Sequence, residues 1–362
     1  MKVLFVTRIL DKKIMDGGAS VSLRNFNLFK KLYGEENIDL FEIKIPSVFV
    51  KLKNVIFNQF YGQTGLLKKT FNKKIKSTNY DFVFFNGSLY GPLVESTKKN
   101  GLKSIVFYHN IEANYYKSRY LIKKNLVSIL FYYYVKKNEI LSTDFCDFRI
   151  VLNKRDGEEL KKIYRKDFNF VLPISMPVKD VDKTTFVKNR YALFVGSNFF
   201  ANQEGLSWFI EKVVPHISIP LYVAGSICDF LKSKYPANKK IVYLGFVDNL
   251  DDVYTKAAFI VSPIFKGSGM KTKTVEALSY GKYILGTSEA FIGIDSDYEK
   301  IGALCNDDVS FVTRINTWNA VSNFNIFSHN LFLNNYTDQI IMDKFKSCFI
   351  DGEFNRCNKI NA

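Results

Sequence analysis

Short apolar runs alternate with amphipathic helical patterns along the whole 362-residue chain. Ten of these runs are rich in β-branched and aromatic residues with little polar alternation, as is typical of strands buried on both faces of a parallel sheet. The predicted strands are residues 2–7, 40–45, 82–85, 104–108, 148–152, 191–195, 221–224, 241–244, 259–262 and 283–285. Repeated strand–helix units of this kind predict an α/β protein built from doubly wound sheets.

The strand–helix series restarts once, at Tyr191, after the proline-containing segment 172–178. We therefore predict two Rossmann-like domains, residues 1–172 and 191–335, facing each other across a cleft and joined by a junction at 173–190. Residues 336–362 are predicted to form a terminal helix and tail that could pack back on the first domain. Ligands of such sheets bind beyond the carboxyl ends of the strands, so the residues that follow each strand are the candidates for function.

The positive charge of the chain is concentrated in its first half. The net charge is +16, and residues 1–172 hold 31 basic and 16 acidic residues, a net charge of +15. This asymmetry fits a first domain that faces an anionic surface or polymer, and equally a lysine-rich composition whose side chains are merely solvated. Both interpretations stay open.

Cysteine usage and hydropathy point to the cytoplasm. The five cysteines are scattered without a CxxC pair, which favours reduced thiols over disulfides or a zinc site. The N-terminus does not resemble a signal peptide, and the uncharged stretch 125–135 in the aromatic-rich region is too short to cross a bilayer.

The most specific motif is the glycine-rich stretch 267–278, GSGMKTKTVEAL. Gly267, Ser268 and Gly269 form a loop that leads into a helix beginning near Lys271 and Lys273. A helix N-terminus favours anions and offers lysine no stabilisation, so two lysines there indicate a bound anion such as a phosphate. Glu276, one turn further on, is placed to accept hydrogen bonds from ribose hydroxyls. The alternative is a pair of solvated lysines on a first helical turn.

Two other glycine-containing loops follow predicted strands. Gly17 and Gly18 precede a helix and would let an anion or sugar approach the backbone. Gly196, Ser197 and Asn198 follow the strand at 191–195, and Asn198 and Asn202 could bond a ligand. Ordinary turn and N-cap chemistry explains these residues equally well.

Three polar residues follow strands of the first domain. His109, at the end of the strand 104–108, faces the predicted ligand crevice and could donate to a sugar hydroxyl or a phosphate. Glu112 could orient the ligand or His109, or cap the next helix. Asn86, directly after the strand 82–85, is assigned with Glu112 to the acceptor side.

The segment 115–137 interleaves aromatic and basic residues. Helices that lie on membrane surfaces have this composition, with rings at the headgroup level and lysines on anionic lipid. A long core helix with a basic outer face is an equally good interpretation. Nucleic-acid binding is less favoured because no known nucleic-acid module accompanies the segment.

Taken in order, these motifs resemble the family-four glycosyltransferases, which have the GT-B fold of two Rossmann-like domains. The resemblance covers nearly the whole chain, and the residues that carry it are Gly17-Gly18, FYHNIE at 107–112, VLNKRD at 151–156, FVGS at 194–197, NQEG at 202–205, YLGF at 243–246 and the stretch 267–278.

The resemblance implies a transfer of sugar from a nucleoside diphosphate sugar to an acceptor hydroxyl. Lys271, Lys273 and the Gly17-Gly18 amides would hold the diphosphate, and Glu276 the ribose. Phe246 and Val247 would lie near the base, and His109 would touch the transferred sugar as the catalytic residue. Such enzymes need neither a cofactor nor a metal, because side chains and helix dipoles stabilise the leaving diphosphate.

The sequence departs from the family pattern at three positions. Ser197 and Glu204 stand where many relatives carry Arg and Lys, and Ser268 stands where many carry a glutamate. Lys271 and Lys273 are therefore the main phosphate-binding candidates of the second domain, and the retaining stereochemistry usual in the family has less support here.

The interpretation we favour is a cytoplasmic glycosyltransferase of surface polysaccharide or glycolipid synthesis, peripheral on a membrane. Its expected partners are a nucleotide-sugar, a glycan or lipid-linked acceptor and an anionic membrane surface, with nucleic acid disfavoured. A non-catalytic GT-B protein that binds a nucleotide-sugar or acts as a scaffold is the alternative, followed by a GT-B enzyme that modifies nucleic acid.

Overall fold

The computed structural model of the protein describes residues 1–10, 17–44, 63–181, 183, 190–236, 238–267, 269–319 and 322–348. Its contacts divide the chain into two compact units. The first comprises Met1–Pro173 and the residues from Ile341 onward, and the second comprises Ile174–Ile340.

The first unit contains a six-stranded parallel sheet in the order β2-β1-β3-β4-β5-β6. Its strands are β1 (Val3–Arg8), β2 (Ile38–Ile43), β3 (Phe82–Phe85), β4 (Ser104–Tyr108), β5 (Phe148–Val151) and β6 (Phe170–Val171). The described helices are α1 (Gly17–Tyr33), α2 (Gly65–Ser77), α3 (Gly91–Lys99), α4 (Glu112–Lys123), α5 (Leu126–Phe145) and α6 (Lys154–Tyr164), with a 3₁₀ turn at Glu35–Asn37.

The second unit repeats this design with the strand order β12-β11-β10-β7-β8-β9, again all parallel. Its strands are β7 (Ala192–Val195), β8 (Leu221–Ala224), β9 (Ile241–Gly245), β10 (Phe259–Ser262), β11 (Ile284–Gly286) and β12 (Gly302–Leu304). The helices are α7 (Phe200–Lys212), α8 (Ile227–Lys234), α9 (Asp251–Lys256), α10 (Thr272–Ser279), α11 (Tyr298–Ile301), α12 (Asp308–Asn316) and α13 (Ile326–Asn335), with a 3₁₀ turn at Val214–His216. The last described helix, α14 (Asp338–Cys348), begins in the second unit and continues into the first.

Phenylalanine rings fill much of the first unit's core. Phe5 of β1 lies 5.1 Å from Phe84 of β3 and 5.3 Å from Phe29 of α1, measured between ring centroids. Phe345 of α14 stands edge-on to Phe29 at 5.1 Å. The end of the chain therefore contributes to this core, and the high aromatic content of the sequence is explained by packing.

Each predicted strand is present, within two residues at its ends, and the predicted α/β fold with two doubly wound sheets is confirmed. Two short strands, β6 and β12, were not predicted. The predicted terminal helix begins later than expected, because Tyr336 ends α13 and Thr337 bridges to Met176 before α14 starts. Within the described residues, no helix has both the length and the apolar character needed to cross a membrane.

Candidate functional site

The candidate site of the second unit lies where the strand order of its sheet reverses. The chain moves outward from β7 to β8 and β9, and then returns to place β10 on the other side of β7. In such sheets the loops after the two strands that flank the reversal form the usual ligand crevice. Here these loops are residues 196–199 after β7 and residues 263–271 after β10.

Lys271 is the residue that caps the N-terminus of α10, and its backbone is still extended there. Its ammonium group lies 2.8 Å from Oε1 of Glu289 and 2.9 Å from the carbonyl oxygen of Gly269. Both charged side chains are largely buried. Gly269 has φ +66, a conformation that favours glycine, and so the loop can turn back under the lysine. The lysine is thus held at the helix N-terminus by a carboxylate and a carbonyl.

Lys273 lies in the first turn of α10 and is held from two sides. Its Nζ donates to Oδ1 of Asn202 at 2.7 Å and lies 3.9 Å from the centroid of the Phe194 ring. Burial, reinforced by the positive charge of Lys271, lowers the pKa of Lys273 to about 7. A nearby anion would restore the charged form, so this lysine is poised to gain a proton when an anion binds.

Glu276 is half-buried one turn beyond Lys273. Its Oε2 accepts a 2.8 Å hydrogen bond from the hydroxyl of Tyr254, whose ring stacks on that of Tyr280 at 4.3 Å. Burial raises the pKa of Glu276 above its ordinary value, and the bond from Tyr254 opposes that rise. Tyr254 therefore orients the carboxyl group and favours its ionised form, which is the form that accepts bonds from hydroxyls.

The loop after β7 is tied to α10 through Asn202. The Asn202 side chain accepts from Lys273 and donates to the carbonyl of Ser197 at 2.8 Å. The backbone N–H of Asn198 donates to Ser226, and its side-chain oxygen accepts from Gln203. Asn202 thus links Ser197 to Lys273. The hydrogen bonds of Asn198 are instead made with residues at α7 and at the start of α8.

Helix α7 approaches the loop after β10 very closely at Gly205. A β-carbon on this residue would lie 1.8 Å from the carbonyl oxygen of Pro263. The neighbouring Glu204 forms an ion pair with Lys266 across the same two elements, at 2.6 Å. The position where many relatives carry lysine therefore holds a carboxylate whose basic partner comes from the other loop.

The remaining predicted donor residues of the second unit lie at the same edge of its sheet, with one outside the described residues. Gly196 follows β7 directly, and its N–H donates to Ala224. Phe246, which is exposed, and Val247 follow β9 at the end of the sheet. Gly267 faces Lys271 and Glu289 closely, because a β-carbon on it would lie 3.3 Å from Nζ of Lys271 and 3.4 Å from Oε1 of Glu289. Ser268 lies outside the described residues.

In the first unit, Asn86 and His109 meet at the carboxyl ends of β3 and β4. Nε2 of His109 lies 3.3 Å from the backbone oxygen of Asn86, and its ring stands edge-on to Phe107 at 4.9 Å. The Asn86 side chain is buried, accepting from Asn25 and donating to Thr7. Asn86 thus links the end of β3 to the end of β1 and to the middle of α1, beside His109.

Glu112 is the first residue of α4, and its backbone N–H donates to the buried carboxylate of Glu139. Glu139 accepts from the backbone N–H groups of Glu112 and Ala113 and from the hydroxyls of Ser88 and Tyr164. Burial and the charge of Glu139 raise the pKa of Glu112 to about 8. A carboxyl group with such a pKa exchanges protons near neutral pH.

Gly17 and Gly18, the predicted donor-binding residues of the first unit, form the first two residues of α1.

Two residues of the second unit's site were absent from the predicted set: Glu289 and Tyr254. Glu289 comes 18 residues after Lys271, and Tyr254 comes 22 residues before Glu276. Neither stands in a recognisable motif, so no signal in the sequence could have found them. Asn202, which was predicted to bond a ligand, accepts a hydrogen bond from Lys273 in the structure.

Among the described residues, no three His, Cys, Asp or Glu side chains lie together in a way that could hold a metal ion. The lysines and the helix N-terminus of α10 instead provide positive charge at one point, with a carboxyl group a turn away. Such a site can bind a phosphorylated ligand that also carries hydroxyl groups.

The architecture of two doubly wound sheets is that of the GT-B fold. Sucrose-phosphate synthase from Thermosynechococcus elongatus is similar with a TM-score of 0.75 and 12% identity, over 96% of this chain and 98% of that one. Anabaena Alr3699/HepE, solved in complex with UDP-glucose, is similar with a TM-score of 0.65 and 10% identity, over 96% and 99% of the two chains.

The family comparison agrees with this fold. Residues 189–318 match the family model described as Glycosyl transferases group 1. A Klebsiella pneumoniae protein described as an uncharacterized 44.6 kDa protein in the cps region is 23% identical over 302 residues, which are 73% of this chain and 76% of that protein. The resemblance to this group of glycosyltransferases, predicted from the motifs, is confirmed.

Proposed function

We propose that the protein transfers a hexose from a nucleoside diphosphate sugar to an acceptor hydroxyl, with retention of configuration and without a metal or cofactor. The observation that carries the proposal is the arrangement on α10, where Lys271 and Lys273 stand at the N-terminus and Glu276 one turn further. The lysines and the helix dipole would hold the diphosphate, and Glu276 would accept bonds from the ribose hydroxyls.

In the reaction, the bond between the anomeric carbon and the diphosphate oxygen breaks and negative charge develops on the leaving diphosphate. Positive groups fixed beforehand at that point stabilise this charge more than they stabilise the bound substrate, and so they lower the barrier. The acceptor hydroxyl forms the new bond to the anomeric carbon and passes its proton to the leaving diphosphate. His109 is proposed to contact the transferred sugar, and Gly17, Gly18, Asn86 and Glu112 are proposed to border the donor and acceptor from the first unit.

The acceptor is proposed to be a glycan or a lipid-linked glycan of a surface polysaccharide or glycolipid, handled at the cytoplasmic face of a membrane. The relative encoded in a cps region supports the polysaccharide role. The net charge of +15 on residues 1–172 supports an anionic surface as the place of action.

A donor screen tests the proposal. We expect one nucleotide-sugar from a panel of UDP-, GDP- and dTDP-sugars to raise the unfolding temperature of the protein, because a ligand at about a hundred times its Kd stabilises a folded protein by about 2.7 kcal/mol. UDP-glucose heads the panel because the HepE structure contains it. The same donor should then support sugar transfer to a lipid or glycan acceptor. A panel without any stabilising donor would contradict the proposal, and binding without transfer would favour a non-catalytic role.

Donor affinity should decrease as the pH rises above about 7, because Lys273 has a pKa of about 7 in the free protein. Below this pH the lysine is already charged when the diphosphate arrives. Above it, binding must first protonate the lysine, which weakens binding by up to about tenfold per pH unit. Calorimetric titration at about pH 6, 7 and 8 measures the slope. In the Lys273→Met variant the slope should disappear, and a slope that persists would show that another group titrates.

A further inference from the structure

Helices α4 and α5 expose a group of large apolar side chains where the two helices join. They pack against each other and are connected by Lys124 and Asn125 alone. The exposed residues, called here the hairpin tip, are Leu121, Leu126, Val127, Leu130 and Tyr133. Leu126 is 74% exposed and Tyr133 61% exposed. Single exposed apolar residues are common, but five within 13 positions form a patch that indicates an interaction site.

The hairpin tip is built by ordered backbone. Lys124 adopts the left-handed conformation and its N–H donates to the carbonyl of Tyr120 at 2.7 Å, which ends α4. Asn125 begins α5 by accepting from the N–H of Ser128 at 2.9 Å. A defined C-cap followed directly by a defined N-cap fixes the directions of the flanking helices. The apolar side chains are therefore displayed by two capped helices.

Three of the four exposed apolar residues of α5 form a stripe, and Val127 lies to one side of it. Leu126, Leu130 and Tyr133 are spaced by four and three residues, which places them on one face of a helix. Tyr134, Val135 and Asn138 point the other way and are buried. Lys137 is exposed and continues the stripe. The outer face of α5 is thus apolar at its first turns and basic further along.

The charge around the hairpin tip has one sign. Residues 113–138 include six basic residues, Lys117, Arg119, Lys123, Lys124, Lys136 and Lys137, and no aspartate or glutamate. Four of them, Lys117, Arg119, Lys124 and Lys137, are exposed. An apolar stripe bordered by basic residues is complementary to a surface with anionic groups at its boundary and hydrocarbon beneath.

We propose that the hairpin tip is a docking surface for an anionic lipid bilayer. The leucines would enter the boundary between headgroups and acyl chains, the Tyr133 hydroxyl would remain among the headgroups, and the basic residues would contact lipid phosphates. An anionic glycan would account for the lysines but would leave the leucines in water. This inference rests on the part of the proposed function that places the protein at an anionic membrane surface, and it does not depend on the donor site.

Vesicle flotation tests the docking surface. The full-length protein should float with vesicles of equal parts phosphatidylglycerol and phosphatidylcholine, and much less with phosphatidylcholine alone. Leu126→Ser combined with Leu130→Ser should lower the partition coefficient by about tenfold or more. Loss of even half of the area that one leucine buries in the bilayer already weakens binding several-fold. Lys124→Gln combined with Lys137→Gln should weaken binding by about tenfold, and high salt should have a similar effect.

Leu66 provides a matched control in the same unit. It is 76% exposed on α2, with Lys68 and Lys69 nearby in the sequence, and no other large apolar side chain of α2 is exposed. Leu66→Ser should bind vesicles as the wild type does. All substituted side chains are exposed, so the variants should keep the wild-type unfolding temperature, and Tyr133→Ser serves as a second variant if the double substitution does not fold. Unchanged flotation of the leucine variants, or equal binding to neutral vesicles, would overturn the proposal.

The two proposals fail separately. A hairpin-tip variant that no longer floats should still be stabilised by the nucleotide-sugar in the absence of vesicles. Conversely, a protein that floats with anionic vesicles but binds no donor would retain the docking surface and lose the proposed reaction.

Discussion

Replacing Lys271 by methionine is expected to lower the rate of sugar transfer by about a hundredfold or more, since loss of one preorganised group that stabilises developing charge has effects of this size. Methionine retains the length of the side chain and removes the charge at the N-terminus of α10. Because the lysine would act on the leaving diphosphate, we expect the larger share of the loss in kcat. Steady-state kinetics with the donor identified by the screen gives the comparison.

Two further variants separate chemistry from charge balance. Lys271→Met leaves the largely buried carboxylate of Glu289 without this partner, so the double variant with Glu289→Gln should remain inactive while keeping its unfolding temperature. Lys266→Met, in the same loop, should retain near-normal turnover because Lys266 is exposed and already paired with Glu204. Normal turnover in Lys271→Met, or an equal loss in Lys266→Met, would refute the assignment of the diphosphate to Lys271.

Gly205→Ala is expected to destabilise the second unit by about 3 kcal/mol, the upper end of what overpacking costs. In an unobstructed helix the same change would be stabilising by about 0.5–1 kcal/mol. Here the new methyl group would lie 1.8 Å from the carbonyl oxygen of Pro263, so α7 must move away from the loop after β10. Since Asn202 lies on α7 and bonds Lys273, donor affinity should fall as well.

Thermal and urea unfolding of the full chain measure this effect. Gly65→Ala is the matched control, because Gly65 is also a helical glycine and has no atom within 4 Å of the position of its β-carbon. That control should change stability by less than about 0.5 kcal/mol or be slightly stabilising. If both variants unfold alike, the close approach of α7 to Pro263 is not a constraint on the fold.

The strands could be predicted because most of them are runs of apolar residues between turn residues, and the central ones are buried along their length. The strand β6 has only two residues, and β12 reads Gly-Ala-Leu without a β-branched or aromatic residue, so neither presents a strand pattern. Both strands form by pairing with a neighbouring strand. The terminal helix begins at Asp338 and not at residue 336, since Thr337 forms a bridge with Met176 that the local sequence does not show.

The candidate site likewise combines residues that the sequence could locate with partners that it could not. The glycine loop, the two lysines and Glu276 stand in one local motif, so the sequence alone could locate them. Their partners cannot be read locally, because Glu289 and Tyr254 reach the motif only through the folding of the sheet. The low pKa of Lys273 likewise depends on burial against Phe194 and on Lys271, which composition does not show.

The position of Lys273 and Glu276 on one helix has a consequence for the choice of substrate. They are three residues apart, so their backbones are separated by about 4.5 Å along the axis of α10 and share a face. This spacing is set by helix geometry and cannot adapt to the ligand. The helix would thereby fix the distance between the lysine that binds a phosphate and the carboxylate that binds the ribose. A nucleoside monophosphate, which lacks the second phosphate, should therefore be a poor competitor of the donor, even when its base is the correct one.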